Sequence, residues 1–150
     1  MKMKKLLVTV ATVALLTMGG TSAFALSGWG DTQATAEYFP LGYGLGSTIE
    51  NPFDSEWTYY YNDTGKTIGI RATLGSPSTL NYDFFYLTYD ASGEQTSLIL
   101  ARDTGVGGTD TAEIVLRPGE KVYFNVIGHD ATQYSPSAIY GFDLKLIAEQ

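Results

Sequence analysis

Six side chains with oxygen donors stand in two short stretches of the chain. Glu50, Asn51, Asp54 and Glu56 crowd the segment ENPFDSE, and Asn81 and Asp83 flank a tyrosine at the start of NYDFFYLTY. A hard divalent cation takes six to eight oxygens from Asp, Glu, Asn and backbone carbonyls on loops. The chemistry these residues suit is therefore calcium binding, provided the two stretches neighbour each other. The alternative is that they are solvated turn residues of an acidic protein. A second set is aromatic. The eleven tyrosines include Tyr59, Tyr60 and Tyr61 in a row, and in a strand the middle one faces away from its neighbours. Tyr60, Tyr82, Tyr86 and Tyr123 would form an exposed face for sugar rings or extended peptides if their strands are adjacent. Against this stands tyrosine's ordinary suitability for strands.

Catalytic chemistry finds less support. His129 is the only histidine, Asp130 beside it is merely a sequence neighbour, and no G-x-S-x-G occurs, so a serine triad is not indicated. One histidine with no cysteine argues against zinc, and the lack of cysteine excludes disulfides and a thiol nucleophile. YNDTGKT (61–67) ends like a phosphate-binding loop but lacks its first glycine and runs into a strand, so it reads as a hairpin turn. Asn62-Asp63-Thr64 within it also matches a glycosylation sequon. DTGVGGTD (103–110) is like a calcium-binding glycine–aspartate repeat, but a single copy has no neighbour to stack on and reads as a loop. Asp54 with Glu56, or Asp83 with Asp90, could serve as a glycosidase pair, yet sixteen acidic residues make such pairs common. No catalytic residue is assigned, and the protein is not expected to be an enzyme.

The chain opens MKMKKLLVTVATVALLTMGGTSAFA, with three lysines, a short apolar run and an A-x-A end. This order predicts a secretory signal over residues 1–25, bacterial Sec-type export, and a mature chain from Leu26. The three lysines take no acid with them, so the net charge moves from −7 to −10. So acidic a chain, with its six remaining Lys and Arg scattered, is a poor match for nucleic acid or anionic membranes. After the leader no apolar stretch is long enough to span a bilayer. The product is expected to be released or held non-covalently at the cell surface.

Past a loose start at 26–33, apolar residues alternate at period two in short runs broken by Gly, Pro, Asn, Asp and Ser. Strands are expected near 34–39, 56–61, 66–74, 82–89, 96–101, 110–116, 121–127 and 138–147. A short piece at 47–50 would follow an irregular loop at 40–46. Turns fall at NDTG, GSPS, DASG, DTGVGG and RPGE. No helical stripe is present, so residues 34–150 should form an all-β antiparallel sandwich or barrel of about eight strands. The expected inward sets are Trp57, Tyr59 and Tyr61; Ile68, Ile70, Ala72 and Leu74; Phe85, Leu87 and Tyr89; Ile114 and Leu116; Val122, Phe124 and Val126; and Tyr140, Phe142, Leu144 and Leu146.

The order of these pieces resembles a known family. GKTIGI is followed by a Tyr- and Asp-rich strand ending in Asp90-Ala91-Ser92-Gly93, then PGEKVYFNVIG, then YGFDLKL. Residues 34–147 are in this respect similar to the bacterial pre-peptidase C-terminal domain family. Asp83 and Asp90 are spaced more widely than that family's aspartates, and Asp54 and Glu56 stand where its first acidic pair would be. The resemblance implies a jelly-roll-like β-sandwich, usually appended to secreted hydrolases. Related collagen-binding modules of such enzymes use calcium and an aromatic sheet face. The expected function is a secreted, non-catalytic module binding an extracellular protein, peptide or glycan, with calcium as the only cofactor considered. Two alternatives are a structural or self-associating surface component, and a small hydrolase or hydrolase inhibitor.

Overall fold

The computed structural model describes residues 30–150, so the expected signal over 1–25 and the start of the mature chain lie outside the described residues. A single 3-10 turn at Gln33–Thr35 precedes nine strands: β1 (Glu37–Tyr38), β2 (Gly44–Ile49), β3 (Ser55–Tyr61), β4 (Ile68–Gly75), β5 (Tyr82–Tyr89), β6 (Gln95–Leu100), β7 (Thr109–Leu116), β8 (Lys121–Gly128) and β9 (Ser135–Glu149). The expected turns fall between strands, apart from Gly75 of GSPS, which closes β4. Two expectations shift: the first strand shrinks to two residues behind the 3-10 turn, and β2 absorbs the end of the supposed loop at 40–46. No helix among the described residues is long and apolar enough to cross a membrane.

The strands form two sheets, β1-β3-β8-β5-β6 and β2-β9-β4-β7. Leaving β1 aside, each sheet interleaves strands from the two ends of the chain, which is the ordering of a jelly roll. Every pairing is antiparallel except β1 with β3, where Glu37 lies opposite Thr58. The segment before β1 also follows β3. Gly30 accepts a hydrogen bond from the Trp57 N–H at 2.7 Å, and the Ser55 hydroxyl donates to the Asp31 carbonyl at 3.3 Å. Residues 30–33, expected to be loose, therefore cover an edge that would otherwise expose unpaired backbone groups. Only glycine fits at the contact: its φ is +72°, and a Cβ there would meet the Trp57 carbonyl oxygen at 2.2 Å.

Between the sheets Phe142 of β9 meets Phe39, Phe84 and Phe124 with ring centroids 6.0, 5.6 and 5.3 Å away. Ile68, Ile70, Ala72, Leu74, Leu116, Val122 and Leu144 are sealed around them, and a fully buried large side chain contributes roughly 1.5–3 kcal/mol. Asn62 is buried as well. Its amide donates to the Lys66 and Leu116 carbonyls at 2.8 and 3.0 Å, and its Oδ1 accepts from the Thr64 hydroxyl. This explains YNDTGKT as a pinned turn, and it withdraws the Asn62 side chain from any glycosylating enzyme.

The inward sets expected for β4, β7 and β8 are in the core, and so is that of β9 apart from Leu146, which is exposed. Those for β3 and β5 are reversed, although Leu87 of β5 is buried even on the outer face. Glu56, Thr58 and Tyr60 point inward from β3, and Tyr82, Phe84 and Tyr86 from β5. Both strands flank β8, where Thr58 and Tyr86 lie opposite Phe124, and Tyr60 opposite Val122. Directly paired residues share a face, so the alternation of Val122, Phe124 and Val126 fixes both neighbours.

Candidate cation and ligand-binding sites

The same register separates the six oxygen-bearing residues. Glu56 lies opposite Val126 and points into the sandwich, whereas Asp83 lies opposite Ile127 and points to the outer face. With β8 between them, their strands are about 10 Å apart. Glu50, Asn51, Asp54 and Glu56 thus do not converge with Asn81 and Asp83. Each group finds other partners instead.

At the start of β3, carboxylate oxygens of Asp31, Asp54 and Glu56 all lie within 4.8 Å of one another. The glycine-held arm along β3 brings Asp31 there. The Asp54 carboxylate accepts from the Glu50 N–H at 2.6 Å, while Asn51 Oδ1 is occupied by the Phe53 N–H at 3.0 Å. Glu56 is buried and its Oε1 has no hydrogen-bond partner. Burial, followed by repulsion from Asp54, Asp31 and Glu50, pushes its pKa up to about 8, against a smaller opposing effect of a hydrogen bond with Ser47. No Lys or Arg of the described residues pairs with this cluster. An all-oxygen donor set with surplus negative charge and an unpartnered buried oxygen suits a hard cation.

At the start of β5, Asp83 Oδ2 lies 2.9 Å from His129 Nδ1, and Asp103 Oδ2 lies 3.4 Å from the same atom. Asp103 comes from the β6–β7 loop, where the Gly105 N–H and the Asn81 amide bind its other oxygen at 2.7 and 3.1 Å. His129 leaves the end of β8 on a turn seated so closely that a Cβ at Gly128 would meet the Gln133 carbonyl at 2.2 Å. Burial raises the Asp83 pKa against the favourable histidine. His129 is raised chiefly by its hydrogen bond to Asp83. Sequence reasoning missed Asp31, Asp103 and His129 as site residues, because each sat in a segment read as a flexible end, a loop or a solvated turn. Only the pairing of β3 and β5 on either side of β8 could have found them.

The tyrosines divide in the same way. Tyr60, Tyr82 and Tyr86, expected on an exposed face, are core residues, and of the four only Tyr123 faces outward. An outer aromatic face nevertheless exists, in which Tyr123 is joined by Tyr38 and by Trp57, Tyr59, Phe85 and Tyr89, four residues expected inside. Tyr38, Tyr59, Tyr123 and Tyr89 run across β1, β3, β8 and β5 with successive centroids 5.7, 5.6 and 5.5 Å apart. Trp57 and Phe85 meet edge to face at 5.5 Å farther along the same face. Lys121 holds its ammonium 5.0 Å from the Tyr59 ring and 5.6 Å from that of Tyr123. Two clefts that share Tyr61 and Lys121 flank this row. One, of about 310 Å³, includes Tyr38 and Tyr59; the other, of about 390 Å³, includes Tyr89, Tyr123 and the turn at 90–93. Gln33 closes one side by donating to the Tyr89 hydroxyl at 2.8 Å.

No protein-family model and no curated protein matches the sequence. Among solved structures, the fold is similar to that of the pre-peptidase C-terminal domain of a collagenase from Bacillus anthracis, with a TM-score of 0.52 at 12% identity. The match covers 73% of this chain and 94% of that domain. At this identity the likeness is one of fold, and it agrees with the resemblance carried by GKTIGI, PGEKVYFNVIG and YGFDLKL: the chain is an all-β sandwich with the architecture of a pre-peptidase C-terminal domain.

Proposed function

We propose that the protein is a secreted, non-catalytic module that binds an extended extracellular polymer, protein or glycan, across its outer aromatic face. The observation that carries this reading is the row of four tyrosine rings spanning four strands, with Lys121 lying over two of them. Rigid amphipathic rings bury area at low entropic cost, and a row of them across strands fits a linear ligand. The export signal expected in residues 1–25 and the domain-long match to the pre-peptidase C-terminal domain of a collagenase support secretion and a binding role. Retention of the purified chain on collagen, chitin and cell-wall material tests it. Tyr59→Ala with Tyr123→Ala should weaken the retained interaction by about 2 kcal/mol, roughly 30-fold in Kd. Unchanged retention by a folded double variant would remove the face from consideration.

Calcium, in this reading, binds at Asp31, Asp54 and Glu56, with Glu50 nearby. It should raise the melting temperature more than magnesium does, because magnesium dehydrates reluctantly and demands a tighter octahedron. Equal shifts from calcium and ionic-strength-matched sodium would reduce the effect to charge screening. A second reading has its own observation: edge strand β6 exposes Leu98, Ile99 and Leu100, a surface that could pair with another copy. Sedimentation of the wild type beside Leu98→Lys distinguishes it, since self-association through β6 should be lost in the variant.

A further inference from the structure

The second cluster is more than an ion pair. A protonated His129 has one hydrogen on Nδ1, yet two carboxylate oxygens approach that atom, Asp83 Oδ2 at 2.9 Å and Asp103 Oδ2 at 3.4 Å. The hydrogen bond goes to Asp83, and Asp103 Oδ2 lies at ion-pair distance beyond it. The arrangement also leaves Asp83 Oδ1 buried without a hydrogen-bond partner. A separate observation lies beside it: Asn81 is more than nine-tenths buried, its amide nitrogen is held by Asp103, and the oxygen of the same amide is likewise buried without a partner. No Lys or Arg of the described residues pairs with either aspartate.

We infer that Asp83, Asp103 and His129, with the Asn81 amide oxygen as a fourth donor, form a binding site for a divalent transition ion of the zinc type. Bonds of about 2.0–2.2 Å in a tetrahedron place ligand atoms roughly 3.3–3.6 Å apart. The Asp103–His129 separation already has that value, and the Asp83–His129 separation needs to open by about half an ångström. Two carboxylates and a neutral imidazole also cancel the charge of a divalent ion. The hydrogen bonds from Gly105 and Asn81 to Asp103 Oδ1 fix that carboxylate with Oδ2 toward the histidine, as an outer-shell contact should. The imidazole separates this site from the oxygen-only cluster at β3, since nitrogen ligands favour zinc-like ions over calcium. Counted by residue type, one histidine and no cysteine spoke against zinc. The fold adds two carboxylates from distant parts of the chain.

The full chain, free of any polyhistidine tag and stripped with chelator, should bind one zinc ion in a calorimetric titration and prefer it to calcium. Because His129 is the only histidine, its imidazole signals in nitrogen-15 NMR are unambiguous, and zinc should shift Nδ1. Cobalt in its place should give the intense visible absorption of a tetrahedral site. His129→Gln and Asp103→Asn, both at solvent-facing positions, should melt close to the wild type while weakening zinc about tenfold or more. Glu56→Gln should leave zinc binding unchanged, which separates this inference from the calcium reading. Zinc binding that is absent, that survives His129→Gln, or that calcium matches would overturn it.

Discussion

Glu56 makes the stability of this protein depend on pH in a direction opposite to that of an ordinary paired carboxylate. Its pKa is 4.5 in the absence of the fold and about 8 within it, with burial as the largest cause. Below pH 4.5 both states hold the proton, and the neutral acid that the fold prefers is fully available. Between 4.5 and about 8 the folded chain keeps a proton that the unfolded chain has released, so stability falls as pH rises. Above 8 the loss is complete. At ~1.4 kcal/mol for each pH unit the upper limit is roughly 5 kcal/mol. Asp54 and Asp31 are partly or fully exposed, so solvent screens their share, and about 2 kcal/mol is the expected loss. For a domain of this size that is about 6–10 °C in melting temperature. The assay is thermal unfolding by circular dichroism from pH 5 to 9 in the presence of chelator, wild type beside Glu56→Gln. Glutamine keeps the shape of the neutral acid and cannot ionise, so the two curves should meet near pH 5 and diverge above it, with the variant more stable at pH 9. Every other titrating group is common to both chains, and the difference between them therefore isolates Glu56. Parallel curves across the range would refute the reasoning.

Two further outcomes follow from the core and its turns. Asn62→Ala should cost about 1–3 kcal/mol in urea unfolding, because it strips the Lys66 and Leu116 carbonyls of their donor inside a buried turn. Phe124→Ala, emptying the space where Phe84, Tyr86 and Phe142 meet, should cost about 3–5 kcal/mol. By contrast, Val115→Ala on the exposed face of β7 should stay within about 0.5 kcal/mol.

How much could be read beforehand depended on whether a strand's two faces differ in kind. On β4 and β8 they do. Ile68, Ile70, Ala72 and Leu74 alternate with Gly69, Arg71 and Thr73, and Val122, Phe124 and Val126 alternate with residues that include Lys121 and Asn125. Period-two counting places these strands correctly, and the turns between them supply the sandwich. On β3 and β5 the faces do not differ enough. Trp57, Tyr59 and Tyr61 look more apolar than Glu56, Thr58 and Tyr60, and counting hydrophobes selects the wrong face.

Pairing with β8 overrules that count, and its consequences reach both sites. It turns Tyr60, Tyr82 and Tyr86 into the core, sets the half-buried Trp57, Tyr59 and Tyr89 on the outer face beside Tyr123, and carries Glu56 inside while Asp83 faces out. An aromatic outer face survives the reversal because both faces of β3 and β5 are rich in rings. The supposed single cation site does not survive it, since a carboxylate cluster tolerates no change of face. Its two halves recruit Asp31 on one side and Asp103 with His129 on the other, residues that only tertiary contact brings within reach. Features spread over a whole sheet face are thus legible from strand composition. Those that depend on three particular atoms meeting require the register.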